Sequence, residues 1–382
     1  MIDAPEFVGF LDSAGVDLYT GVPDSLLRPL CSAIMALPPE RHVLAANEGN
    51  AIGIAIGHYL RTGSPAVVYL QNSGFGNTIN PLISLADPDV YGVPMILFIG
   101  WRGEVGVPDE PQHVTQGRIM PQLLDALEVP WATLPDTESE ARRAVEHALD
   151  VATRENRPYV LMVRKGTFGG AAKTPSAASD ALATREEMLS SLIEAIGSEP
   201  IIVSTTGMLS RELFELRQQL ELDGSRDFLT VGGMGHASSI ALGIAMREPR
   251  REVWCLDGDG ALLMHLGSLP VISDHAPPNF MHAIFNNGVH DSVGGQPTSI
   301  GCVDLAATAR SVGYRHTVTE TDPNRVVPAV GLMRSAGGPS LLELKVKPGN
   351  RPDLGRPTRG PAESKVAFMK AIAGPPSIPS QG

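Results

Sequence analysis

Residues 253–261 read Val-Trp-Cys-Leu-Asp-Gly-Asp-Gly-Ala, a short apolar run, Val253 to Leu256, that stops on alternating carboxylates and glycines. An apolar run bounded by turn residues is the mark of a buried strand. A second run, His282 to Phe285, ends in the same way on Asn286-Asn287-Gly288, with residues 261–285 between the two turns. Ends of parallel strands lie side by side, so these turns can converge. Glycine lets backbone N–H groups approach a diphosphate closely, while a carboxylate and an amide oxygen are the hard ligands that Mg2+ takes when it bridges phosphates. Either motif alone reads as a turn; the two together, each after a strand, read as a metal–diphosphate cradle.

The same rhythm runs outward through the chain. Val16 to Thr20, Ala66 to Leu70, Met95 to Ile99 and Tyr159 to Val163 are strand-like in the first half, and Pro200 to Val203 and Leu341 to Val346 join the two runs above in the second. Helical spacing separates them: Ile52, Ala55, Ile56, Tyr59 and Leu60 after the first run, and residues 236–246 before Val253. Strands alternating with helices predict parallel α/β architecture. At 382 residues the chain is long enough for two domains. The Gly-, Ala-, Ser- and Pro-rich stretch 166–185 is the expected linker between domains at 1–165 and 186–372, and 373–382 is expected to be a disordered tail.

Composition excludes several classes. Thirty Lys and Arg against 42 Asp and Glu leave a net charge of −12 with no basic run, which speaks against nucleic-acid or anionic-membrane partners. Cys31, Cys255 and Cys302 show neither CxxC nor metal-finger spacing and read as packing residues in a reducing compartment. The N-terminus has no signal-peptide pattern and no long apolar run occurs, so a cytoplasmic protein is expected. A nicotinamide dehydrogenase fails on spacing, since no GxGxxG follows the first strand with an acid about 20 residues on.

Gly258-Asp259-Gly260 followed by Asn286-Asn287 resembles the signature of the thiamine-diphosphate enzymes. That resemblance implies two doubly wound parallel-sheet domains of the type that binds thiamine diphosphate, the first holding its pyrimidine and the second its diphosphate; the middle domain common among the family's decarboxylases is not expected, because the linker leaves no room for one. It implies Mg2+ held by Asp259, Asn287 and the Val289 carbonyl, and the diphosphate held by the backbone of Gly258, Asp259, Gly260 and Ala261. Gly232-Gly233-Met234-Gly235 would supply the Gly232 carbonyl for the 4′-amino group and Met234 to bend the cofactor; Thr205 and Thr206 are further contacts. Glu48, in Asn47-Glu48-Gly49-Asn50, would hydrogen-bond N1′ of the aminopyrimidine and relay its proton. Because Glu48 and Asp259 lie in different halves, the resemblance implies a homo-oligomer, at least a dimer, with the active site between subunits.

Two loop segments narrow the substrate, Gly21-Val22-Pro23-Asp24-Ser25 and Asp109-Glu110-Pro111-Gln112-His113, the latter preceded by Trp101-Arg102-Gly103. Asp24 and His113 resemble the acid/base residues of 2-oxo acid decarboxylases in this family. The set GVPDSLL, NEGNAIGIAIGHYL, DEPQHVTQG and FNNGVHDSVGGQPT is most similar to the two-domain members that decarboxylate a small 2-oxo acid carrying a phosphonate, with the sulfonate-specific branch and carboligating relatives as alternatives. Ser25, Asn72, Ser73, Arg102 and Gln112, with Arg28, are candidate donors to the anionic group. A non-catalytic nucleotide-binding α/β module is the reading from another class, and it leaves Glu48, Asp259 and Asn287 unexplained.

Overall fold

The computed structural model describes residues 1–170 and 181–373. The central part of the expected linker, 171–180, and the tail from 374 lie outside the described residues. The chain divides into two compact units, residues 1–175 and 176–382.

Each unit holds one six-stranded parallel sheet. In the first, the strands lie in the order His42–Leu44, Tyr19–Gly21, Ala66–Gln71, Met95–Gly100, Pro158–Val163, Trp131–Thr133. In the second, the order is Asp227–Leu229, Ile201–Ser204, Val253–Gly258, Phe280–Asn286, Ser340–Lys345, His316–Glu320. Ranked along the chain, both sheets run second, first, third, fourth, sixth, fifth. The order reverses between the first and third strands of each sheet, and there the loops part to leave a crevice at the strand C-termini.

The inner strands are legible in sequence because helices cover both faces. Val67, Tyr69, Ile96 and Phe98 pack in one layer of the first unit, and Val68, Leu70, Leu97 and Ile99 in the other. Trp254, Leu256, Met281 and Leu342 do the same on one side of the second sheet, with Val253, Cys255, Phe280 and Leu341 opposite. A strand buried on both faces reads as an unbroken apolar run. The outer strands His42–Leu44, Trp131–Thr133, Asp227–Leu229 and His316–Glu320 are only partly buried, carry no such run, and are absent from the sequence reading.

Three expectations are adjusted. The first strand begins at Tyr19, because Gly15, at φ 92°, closes the helix Ala4–Ser13 and Val16 N–H donates back to the Leu11 carbonyl at 3.0 Å. The first unit continues past 165, where Phe168–Gly169 pair in parallel with Ile2–Asp3, and Thr184 caps the helix Arg185–Ile196 in a reciprocal box with Glu187. Cys31 and Cys255 are buried, but Cys302 is exposed and does no packing. Among the described residues no helix is long and apolar enough to cross a membrane.

Candidate active site

In the first unit the crevice carries Asp24 on one side and Gln71 on the other. Asp24 follows the strand Tyr19–Gly21 and has no exposed surface. Its Oδ1 accepts from Gln71 Nε2 at 2.9 Å and its Oδ2 from Leu26 N–H at 3.2 Å. Burial pushes its pKa up to about 6, opposed by the Arg102 charge and by three backbone N–H groups. Space behind the carboxylate exists only because residue 100 is glycine: a Cβ there would lie 1.9 Å from Asp24 Oδ2.

Arg102 organises the neighbouring loop. Its Nε donates to Asp109 Oδ2 at 2.7 Å, its Nη2 to Asp109 Oδ1, and its Nη1 to Ser25 Oγ at 3.0 Å. Its backbone exchanges two bonds with the Asn72 amide, at 2.8 and 3.1 Å. Ser73 Oγ donates to Gln71 Oε1 at 2.7 Å. Asp24, Ser25, Asn72, Ser73 and Arg102 thus belong to one network, which also takes in Gln71 and Asp109. Gln112 is half-buried at the start of the helix Pro111–Ala126, and Arg28 is exposed at the start of Arg28–Met35; neither joins the network. His113, on that same helix, is buried, and its Nδ1 has no partner among the described residues. Burial first, then the Arg102 charge, lowers its pKa, with Asp109 opposing.

Glu48 opens the helix Glu48–Thr62, whose N-cap Asn47 accepts from Gly49 N–H at 2.8 Å. The residue is 5 % exposed and its Oε2 accepts from Asn77 Nδ2 at 2.7 Å. Burial raises its pKa while Asn77 opposes. Gly74 makes room for it, since a Cβ there would stand 2.0 Å from Glu48 Oε1. A carboxyl group tuned upward in this way holds a proton more readily than an exposed one, which suits it to proton exchange.

In the second unit the two turns meet. The Asn287 backbone N–H donates to the Asp259 carboxylate, and Thr298 Oγ1 donates to its Oδ2 at 2.5 Å. Asp259 is 2 % exposed, and burial pushes its pKa up to about 6. Asp257 turns away, accepting from Gly258 N–H and lying 3.6 Å from the fully buried His282. Val289 pairs with Pro297 across a short antiparallel ladder in which Thr298 N–H reaches the Gly288 carbonyl. That is a non-hydrogen-bonded pair, so the Val289 carbonyl points out of the ladder. Gly258 caps the helix Asp259–Met264, whose first-turn N–H groups have no helical acceptors.

The remaining expected contacts gather on the same edge. Thr205 N–H donates to the Leu256 carbonyl at 2.8 Å, placing Thr205 and Thr206 across the crevice from Gly258. The turn carrying Gly232 and Met234 leads through Gly235, at φ 88°, into the helix Ala237–Ala245. A Cβ on Gly235 would lie 2.9 Å from the Ala261 carbonyl, so this turn rests directly on the Gly258–Ala261 turn. The donor set suits a magnesium diphosphate: a buried carboxylate, an amide oxygen and an outward carbonyl for the cation, and a glycine-lined turn for the phosphates. Gln71, Asn77, Asp109, Asp291 and Thr298 had no role in the sequence reading; single polar residues on loops carry no periodic signal.

This pair of sheets with its two crevices defines a thiamine-diphosphate enzyme. Residues 5–129 match the thiamine pyrophosphate enzyme N-terminal TPP binding domain and residues 206–344 the corresponding C-terminal TPP binding domain. The chain belongs to the thiamine pyrophosphate enzyme family, and to its decarboxylases. It is 36 % identical to the phosphonopyruvate decarboxylase of Streptomyces viridochromogenes, over 99 % of this chain and 96 % of that protein. It is 35 % identical to the phosphonopyruvate decarboxylase of Streptomyces hygroscopicus, over 98 % and 95 %. A sulfopyruvate decarboxylase of Methanosarcina acetivorans is 27 % identical over 90 % and 91 %.

Proposed function

We propose that the chain decarboxylates 3-phosphonopyruvate to phosphonoacetaldehyde and CO2, a step of phosphonate biosynthesis. The observation that carries this reading is the similarity to phosphonopyruvate decarboxylases along almost the whole chain, joined to two buried acids of the first unit, Asp24 and Glu48, whose pKa values burial raises. Thiamine diphosphate, when bound, supplies the electron sink that takes the bonding pair left by the departing CO2.

The chain's own residues do the rest. Asp259, Asn287 and the Val289 carbonyl hold Mg2+, and Gly258, Asp259, Gly260 and Ala261 present backbone to the diphosphate. Gly232, Met234, Thr205 and Thr206 border the same crevice and orient the ring system. Glu48 would hold and return a proton beside the aminopyrimidine of a bound cofactor. Asp24, partly protonated near pH 6, and His113 manage the proton that replaces CO2 on the product carbon, a role that contributes about 10²–10⁴-fold. Ser25, Asn72, Ser73, Arg102 and Gln112 border the phosphonate.

Glu48 and Asp259 belong to different units, and we place the complete site between two copies of the chain. Leu60, on the helix that begins with Glu48, is 72 % exposed and Tyr91 is 71 % exposed, with Ile83, Leu85 and Val90 also exposed; apolar surface of this kind marks an interface. The deciding experiment gives the purified chain thiamine diphosphate, Mg2+ and either 3-phosphonopyruvate or 3-sulfopyruvate, and follows CO2 and aldehyde. Preference for phosphonopyruvate is expected; preference for sulfopyruvate would move the chain to the sulfonate branch with the same residues in the same roles.

A further inference from the structure

An asparagine that ligates a cation must present its oxygen and turn its NH2 group away, yet the two ends of an amide have nearly the same shape. Something must break that symmetry. In this chain Asn287 Nδ2 donates to Asp291 Oδ2 at 2.6 Å, while Asn287 Oδ1 faces Val289 N–H at 3.1 Å. An ionised carboxylate only accepts, so Asp291 captures the NH2 end and leaves the oxygen on the opposite side.

Asp291 is itself held by donors. Arg185 Nη1 reaches its Oδ2 at 3.0 Å, and Gly349 N–H bridges Oδ1 and Oδ2 at 3.0 and 3.1 Å. Arg185 is in turn gripped by Glu212 through two bonds of 2.7 Å, with side-chain exposures of 7 % and 1 %. A buried, bidentate guanidinium has little freedom. Asn286, next in the chain, has a separate partner: its Nδ2 donates to Glu343 Oε1 at 2.7 Å. The two neighbouring amides are thus oriented by two different carboxylates.

We infer that Asp291, backed by the Arg185–Glu212 pair, is a positioning residue that orients the Asn287 amide for Mg2+. The inference rests on the reading of Asn287 as a cation ligand. Groups that orient a ligand in this way change metal affinity by about 10–100-fold when removed.

The test titrates Mg2+ into the full-length chain with thiamine diphosphate present, following cofactor binding by calorimetry, and records the thermal midpoint without cofactor. Asp291→Asn is expected to weaken Mg2+ binding by about 10–100-fold, with cofactor binding restored at high Mg2+. The double variant Asn287→Asp/Asp291→Asn is expected to recover most of the loss, since a carboxylate at 287 offers oxygen at either end and accepts from the new amide at 291. Unchanged Mg2+ affinity in Asp291→Asn would overturn the inference. So would a loss that the double variant fails to recover while the cofactor-free midpoint falls in both, because Asp291 would then only support the fold. Cofactor binding by the unmodified chain that is indifferent to Mg2+ would instead overturn the ligand assignment of Asn287, and the inference with it.

Discussion

Gln71 donates its side-chain amide to Asp24 Oδ1 across 2.9 Å, and Ser73 Oγ, donating to Gln71 Oε1, fixes which end of that amide faces the acid. The bond stabilises the ionised form of a carboxyl group that burial pushes up to about 6. Removing it with Gln71→Leu should raise the Asp24 pKa further, by roughly one unit for a bond to a charged group. The limb of the kcat/KM–pH profile that reports Asp24 should move to higher pH. An unmoved limb would show that Asp24 does not govern it.

Asp24 also links stability to pH. Its folded pKa, about 6, lies above the ordinary carboxylate value of 3.8, so the folded chain binds more protons than the unfolded chain between these values. The contribution is therefore fully favourable below about pH 4 and is lost as pH rises to 6, by up to about 3 kcal/mol. Relative to the unmodified protein, Asp24→Asn should gain stability between pH 4.5 and 7, read from urea midpoints at both values, while turnover falls by about 10²–10⁴-fold. A stability difference independent of pH would contradict the raised pKa.

Glu48→Gln keeps the shape of the side chain and removes the exchangeable proton. Turnover should drop by at least about 10²-fold, while thermal stability and Mg2+-dependent cofactor binding stay near those of the unmodified chain. Retained turnover would remove Glu48 from the chemistry.

Gly74→Ala tests the same carboxyl group from behind. The added Cβ would meet Glu48 Oε1 at 2.0 Å and its Cδ at 2.4 Å, so Glu48 must move. Activity should fall toward that of Glu48→Gln, and overpacking should cost about 1–3 kcal/mol in denaturant unfolding. A fully active Gly74→Ala would mean that the position of Glu48 is not critical.

Arg102 is a candidate donor to the anionic group, and three of its nitrogens donate to Asp109 and Ser25. Arg102→Lys loses the planar fork. If Arg102 chiefly holds the loop that leads into the helix carrying His113, kcat should fall by about tenfold or more with KM little changed; a rise in KM alone would assign Arg102 to substrate binding instead.

The inner strands of both sheets and the two turns that end them were legible because their signals are local. Val253 to Leu256 is apolar throughout because helices cover both faces of that strand, and Gly258-Asp259-Gly260 stands out at its end because glycines and carboxylates alternate there directly after the apolar run. His42–Leu44 and Trp131–Thr133 were illegible because an outer, half-buried strand of three residues leaves no pattern longer than chance.

What the residues by themselves determined is the architecture and the cofactor, since each depends on neighbours within one strand and its turn; the same local signals picked out the side chains proposed to act. Tertiary structure decided how those side chains are tuned. Asn77 reaches Glu48 across 29 positions, Thr298 reaches Asp259 across 39, Gln71 reaches Asp24 across 47, and Arg185 reaches Asp291 across 106. Hydrogen bonds between loops so far apart follow from how a doubly wound sheet brings its strand ends together, and no periodicity in the chain encodes them.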